Sequence, residues 1–264
     1  LVRIRATQTG GPNHYDATPV ERSMTVTKTS AAVALTSLTQ VYTGNPLLPT
    51  ATTTPGGLAV SQTFDGSATA PTSAGSYAVV ATINDARYEG TASGTFVIEK
   101  APATVNFTTL TRTYTGAPLA AVAVSNPVVQ MIGYTYNGSS TPPTVAGSYA
   151  VVATINDPSL MGSASGTFVI AKAPQPIGFD PIPDQFATET VVLTATGGGS
   201  GNPVLFEVVE GSATISGGNL LTFSSEGTVS VRATQAGDAN HLDAVTVTRS
   251  FNVTKFPASV SLLN

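Results

Sequence analysis

The residues that could do chemistry are few and mostly occur in pairs. The two histidines, His14 and His241, each stand in an Asn-His-x-Asp string, Asn13 to Asp16 and Asn240 to Asp243. A metal would pair each His with Asp16 or Asp243, but metal sites usually need three or four ligands, and neither string has a third nearby. A loop-ordering role is the expectation. Asn84-Asp85 and Asn156-Asp157 could open a calcium loop, yet Ala86-Arg87 and Pro158-Ser159 follow where spaced carboxylates would be needed, so an Asx-type turn is expected. Glu207 and Glu210 lie at odd spacing in an apparent strand, which puts them on opposite faces. No Gly-x-Ser-x-Gly elbow, Walker loop or His-Glu-x-x-His string is present. The sequence therefore assigns no catalytic, cofactor-binding or metal-binding residue, and no cofactor.

Other side chains have structural readings. Lys28, Lys100, Lys172 and Lys255 recur at the ends of units; a Lys-to-Asn isopeptide bond would need each one buried beside an Asn and an acid, and exposed joints are expected instead. Tyr77, Tyr149, Tyr42 and Tyr114 could stack on sugars, but the first two are expected in the core or at a corner, and Tyr42 and Tyr114 in turns that pack on a neighbouring domain. Asn106-Phe107-Thr108, Asn137-Gly138-Ser139 and Asn252-Val253-Thr254 fit the N-glycosylation pattern, which is short enough to arise by chance.

These residues are placed by a string, GSYAVVATIND, that begins at Gly75 and recurs unchanged from Gly147, an offset of 72. Tyr77, Val79, Ala81 and Ile83 alternate with smaller or polar residues, the pattern of a half-buried strand. The approach Ala74-Gly75-Ser76-Tyr77 resembles the tyrosine corner of immunoglobulin-like sandwiches, which makes this strand F. The expected fold class is all-β, a tandem array of Ig-like β-sandwich domains. Within each 72-residue unit the punctuation predicts strands near 31–36, 47–53 and 58–64, an Asp-Gly or Asn-Gly turn, strand F and a closing strand. The expected domains are 1–28, the last two strands of an Ig-like domain; 29–100 and 101–172, the paired units; 173–255, a different Ig-like module; and 256–264, the first strand of a further unit. Segment 1–28 matches 228–255 without a gap, and 256–264 matches 29–37, both at an offset of 227. In 173–255 the pattern predicts strands at 191–196, 204–209, 219–223, 229–234 and 245–253, with Gly197-Gly198-Gly199 and Gly217-Gly218 as turns.

Composition agrees. With 25 Gly, 18 Pro, 10% charged residues and no cysteine, the chain favours punctuated strands over helices and has neither disulfides nor thiolate chemistry. A net charge of −4 with scattered Lys and Arg leaves no footprint for nucleic acid, and no apolar run approaches the ~20 residues of a membrane span. The short joints Ile98-Glu99-Lys100-Ala101-Pro102 and Ile170-Ala171-Lys172-Ala173-Pro174 predict a semi-rigid array, since each Pro restricts its own backbone and that of its predecessor.

The ordered strings Tyr42-Thr43-Gly44, Pro46-Leu47, Phe64-Asp65-Gly66, Ala74-Gly75-Ser76-Tyr77 and Ser93 to Ile98, with their counterparts from Tyr114 to Ile170, resemble the MBG domains of long bacterial surface and secreted proteins. Residues 173–255, with Ile177-Gly178-Phe179-Asp180-Pro181-Ile182-Pro183-Asp184 and Gly227 to Gln235, resemble bacterial Ig-like repeats. The resemblance implies an extracellular or cell-surface bacterial filament, stalk or matrix protein that is not an enzyme. Its expected partners are copies of itself or neighbouring domains of one long chain. An adhesin module binding a glycan or surface protein, and a spacer array of a large secreted enzyme, are the alternatives. An end-to-end fibre by strand donation from 1–28 is a further expectation.

Overall fold

The computed structural model describes residues 1–129 and 131–257, and every regular element among them is a β-strand. The chain forms two compact units: Leu1–Ala103 with Asn156–Gly162, and Thr104–Ile155 with the described residues from Ser163 onward.

In the first unit, one sheet has the order Thr39–Val41, Thr91–Glu99, Gly75–Ile83, Val60–Phe64. Only its first pairing is parallel. A second sheet pairs Ala32–Thr36 with Thr50–Thr54. The alternation seen in the sequence decides what the sheets enclose: Val79, Phe96 and Ile98 are fully or almost fully buried, beside Phe64 and the partly buried Leu35, Leu38, Leu47 and Tyr77. Removing one such side chain from water stabilises the fold by about 1.5–3 kcal/mol.

Two local devices frame strand F. The Tyr77 hydroxyl donates to the Ser73 carbonyl at 2.8 Å and the Tyr149 hydroxyl to that of Val145 at 2.8 Å, so both are tyrosine corners. The ring lies against Gly75, where a Cβ would stand 3.3 Å from the hydroxyl. The Asp65-Gly66 turn has φ of 47° and 84°, and Asp65 Oδ1 accepts the Ala78 N–H at 2.9 Å. Asn137-Gly138 repeats this, with Ala150 N–H as donor at 2.8 Å. An αL-tolerant residue with a side-chain acceptor is needed there, which explains the Asp/Asn choice.

The second unit contains the counterpart sandwich. Its sheet order is Thr111–Thr113, Ser163–Ala171, Gly147–Ile155, Ile132–Tyr136, and its smaller sheet pairs Thr104–Thr109 with Val122–Asn126. Tyr136 replaces Phe64 in the core, and its hydroxyl accepts the buried Ala121 N–H at 2.9 Å, which satisfies the polar end of the ring. Burial pushes its phenol above the ordinary value. The module after Lys172 has a sheet in the order Gln185–Phe186, Val247–Thr254, Gly227–Gln235, Val204–Glu210, facing Thr190–Val192, Leu220–Phe223 and Ala213–Ser216. Leu221, Val229, Val231, Phe251 and Val253 lie at its centre. Val229 stands where Tyr77 stands, so this sandwich has no tyrosine corner.

The structure departs from the sequence-based expectation at several points. The strand expected at 47–53 is Thr50–Thr54, because Pro46 and Pro49 cannot donate to a ladder. The strand expected at 191–196 is only Thr190–Val192, and Thr196 bridges Gly178 instead. Thr39–Val41, Thr111–Thr113, Gln185–Phe186 and Ala213–Ser216 were not expected as strands. A β-bulge between Val208 and Glu210 reverses the expected facing of the two glutamates. Glu207 pairs with Arg232 and Glu210 with Ser230, two residues that share one face, so both carboxylates lie on that face.

Residues 2–24 form the hairpin Val2–Ala6 with Val20–Met24. Its register, Val2↔Met24 and Ile4↔Arg22, repeats Val229↔Phe251 and Val231↔Arg249. Val2, Ile4 and Met24 are 44%, 57% and 53% exposed, whereas Val229, Val231 and Phe251 are 1%, 0% and 4% exposed. The face that is core in the later module is open here. The strand expected at 256–264 lies, from residue 258 on, outside the described residues.

Candidate functional site: hydrogen-bonded junctions

The chain's most repeated polar constellation follows the closing strand of each repeat, and each occurrence lies inside one of the two compact units. It is built on the loop between the two long strands of a sheet. In that loop Asp85 Oδ1 accepts the N–H groups of Arg87 and Tyr88 at 2.7 and 3.0 Å. Asp157 does the same for Ser159 and Leu160, both at 2.8 Å, and Asp238 for Asn240 and His241 at 2.7 and 2.6 Å. These are Asx turns. The main-chain N–H groups, that of Arg87 first, hold the Asp85 carboxyl below the ordinary range, and those of Asn240 and His241, with the His241 ring, do so for Asp238.

The turn offers its Asp carbonyl to the lysine that follows the preceding final strand. Lys28 Nζ donates to Asp85 O at 2.6 Å, Lys100 Nζ to Asp157 O at 2.7 Å and Lys172 Nζ to Asp238 O at 2.5 Å. Each ammonium therefore meets a backbone carbonyl and not the side chain of an Asn. The residues after each lysine pair in parallel with the same loop: Thr29–Ser30 with Tyr88–Glu89, Ala101–Pro102 with Leu160–Met161, and Ala173 with His241. The donors are Ala101 N, to Ser159 O at 2.9 Å, and Ala103 N, to Met161 O at 2.8 Å. Pro102 falls between them, at a position whose N–H would point away from the ladder, so its missing donor costs nothing there.

A third bond completes the later two junctions. Ser159 Oγ accepts the Ala74 N–H at 3.1 Å, and Asn240 Oδ1 accepts the Ala146 N–H at 2.9 Å. At the corresponding place the first turn carries Arg87, whose side chain has no oxygen to offer.

His241 belongs to this constellation. Its Nδ1 lies 2.9 Å from Asp238 Oδ1 and its ring meets Tyr114 edge-on at 5.3 Å. The partner is thus Asp238, not Asp243, which instead accepts the Gly237 N–H at 2.7 Å. Asp16 does the same for Gly10 at 2.7 Å beside His14. Tyr42 and Tyr114 both pack against the cores of their own sandwiches, and Tyr114 in addition meets His241 of the following module, as expected of a turn tyrosine. Gly197-Gly198-Gly199 is more than a turn. A Cβ on these residues would stand 2.5, 2.4 and 2.5 Å from Gln235, Gln175 and His241. Buried Gln175 and Gln235 hold the strip through Ser200 N–H at 2.9 Å and Gly198 N–H at 2.7 Å. Among the described residues, no three His, Asp or Glu side chains gather as metal ligands, and no helix is long and apolar enough to cross a membrane.

Fold and junctions together define a tandem repeat of Ig-like β-sandwiches. Segments 31–102 and 103–174 each match the MBG domain, more than half of the chain, and the chain belongs to that family. A search of curated proteins finds no match. Among solved structures, the titin domains I67–I69 align at 10% identity over 86% of this chain and 99% of theirs, with a TM-score of 0.32. Sidekick-1 immunoglobulin domains 1–4 align at 14% identity over 96% and 94%, with a TM-score of 0.28. The three N-terminal domains of the bacteriophage RB49 outer capsid protein Hoc align at 15% identity over 86% and 99%, with a TM-score of 0.27.

Proposed function

We propose that this chain is a structural repeat region of a bacterial extracellular or cell-surface filament, stalk or matrix protein, with no enzymatic role. Its units end at Lys28, Lys100, Lys172 and Lys255, and its partners are neighbouring domains of the same kind or further copies of itself. The observation that carries this reading is the threefold recurrence of the lysine-to-carbonyl bond beside a parallel strand pairing at successive junctions. A freely jointed linker between independent binding modules has no need of such bonds. Modules whose linkers are hydrogen-bonded into the next loop transmit tension from strand to strand. The MBG family, typical of extracellular proteins, agrees with the proposed location. Protease treatment of intact source cells tests it. Release of peptides from residues 29–255 by a non-permeant protease is expected; release only after lysis would refute the surface assignment.

A further inference from the structure

Lys28, Lys100 and Lys172 each bond the carbonyl of an Asx-turn aspartate, but Lys255, the repeat of Lys28 at an offset of 227, does not. Its Nζ pairs with Glu226 Oε1 at 3.1 Å, and both side chains are largely exposed. The register explains why a glutamate there matters. Glu226 precedes Gly227 as Ala74 precedes Gly75 and Ala146 precedes Gly147, each glycine opening its long strand. Ala74 and Ala146 are the residues whose N–H groups are bonded by Ser159 and Asn240, two places beyond the turn aspartate. Two places beyond Asp85 stands Arg87, exposed and without an ion pair among the described residues. An end carrying alanine thus meets an oxygen acceptor, whereas the turn carrying a guanidinium has its charge complement in the end carrying a carboxylate.

We propose that Glu226 and Lys255 form a docking surface for the Asp85–Tyr88 turn of a second copy of this chain placed in series. Lys255 donates to the Asp85 carbonyl as Lys28 does here, and Glu226, freed from Lys255, pairs with Arg87. In each separate chain Lys28 already holds that carbonyl, so the surface is filled when Lys255 stands in Lys28's place. The pair also fixes order: Arg87 facing Ala74 or Ala146 would leave an N–H unbonded, and Ser159 or Asn240 facing Glu226 would leave its charge uncompensated. This pairing rests on reading the chain as a repeat array.

The test joins residues 1–255 directly to residues 29–264 of a second copy and measures cleavage by a protease that cuts only after lysine. Cutting after Lys255 is expected to be at least fivefold slower than after Lys28, because the tandem carries no counterpart of Glu226 ahead of the Lys28 junction. Glu226→Arg in the first copy, or Arg87→Glu in the second, should erase that difference, and the two together should restore it. Equal cutting after Lys255 and Lys28 in the unaltered tandem, or swaps that change nothing, overturn the pairing. Slow cutting after Lys100 and Lys172 in every variant confirms that the other junctions are intact. Rapid cutting there in the unaltered tandem overturns the bonded junction itself, and the pairing with it.

Discussion

Ser159→Ala removes one acceptor from the junction after Lys100 and leaves the rest of it in place. Ser159 is buried, and its Oγ takes the partly buried Ala74 N–H at 3.1 Å. The Asx turn survives, because its bonds come from Asp157 Oδ1 to main-chain groups that the substitution keeps. The Ala74 N–H then has no partner and no easy access to water, at a cost of about 1–3 kcal/mol. If the junction opens locally, that cost appears in the opening equilibrium, where each 1.4 kcal/mol is a factor of ten. Amide hydrogen exchange of the full chain should show Ala74 exchanging about 5- to 150-fold faster. The Val79 and Phe96 amides, in paired strands of the core, should keep their protection. An Ala74 rate within twofold of the original, or a uniform loss of protection across the sheet, would refute the reasoning.

The other expectations follow from the same geometry. Asn240→Ala should accelerate Ala146 exchange in the same manner, since Asn240 Oδ1 is its acceptor. The depressed carboxyls of Asp85 and Asp238 contribute stability that is present above their unfolded values near 3.8 and is lost as pH falls through the lower folded values. Amide chemical shifts of Arg87, Tyr88, Asn240 and His241 should therefore titrate below pH ~4. Midpoints at or above the ordinary carboxylate value would contradict the turns. Gly199→Ala sets a Cβ 2.5 Å from His241 Nε2, and displacing the ring should cost about 1–3 kcal/mol in urea unfolding, read on the segment after Lys172. Tyr77→Phe loses the bond to Ser73 O, and about 0.5–1.5 kcal/mol of stability in the same assay.

What could be read from the sequence was whatever is local. Strand F declares itself by alternation, and Val79, Ala81 and Ile83 are buried as that alternation requires. The tyrosine corner spans the five residues Ser73 to Tyr77 and the Asp65-Gly66 turn two, so both are written in neighbouring letters. Thr39–Val41 is different: three residues long and parallel to a strand more than fifty residues away, it has no period to detect. The glutamate pair misled because a bulge between Val208 and Glu210 alters the parity of the strand. At the junctions the lysine spacing was visible but its meaning was not. Ser159 and Asn240 bond amides 85 and 94 residues distant, and no string contains both partners. The glycine strip looked like a turn because the side chains pressed against it arrive from Gln175, Gln235 and His241.

The central claim is that the linkers after Lys28, Lys100 and Lys172 are bonded parts of the fold and not free joints. Backbone ¹⁵N relaxation of the full chain tests it most directly. The amides of Ala31, Ala101, Ala103 and Ala173, each a donor to the following loop, should show order parameters near those of strand amides, about 0.85. Values below about 0.6 at these four positions, with rigid strands on either side, would contradict it.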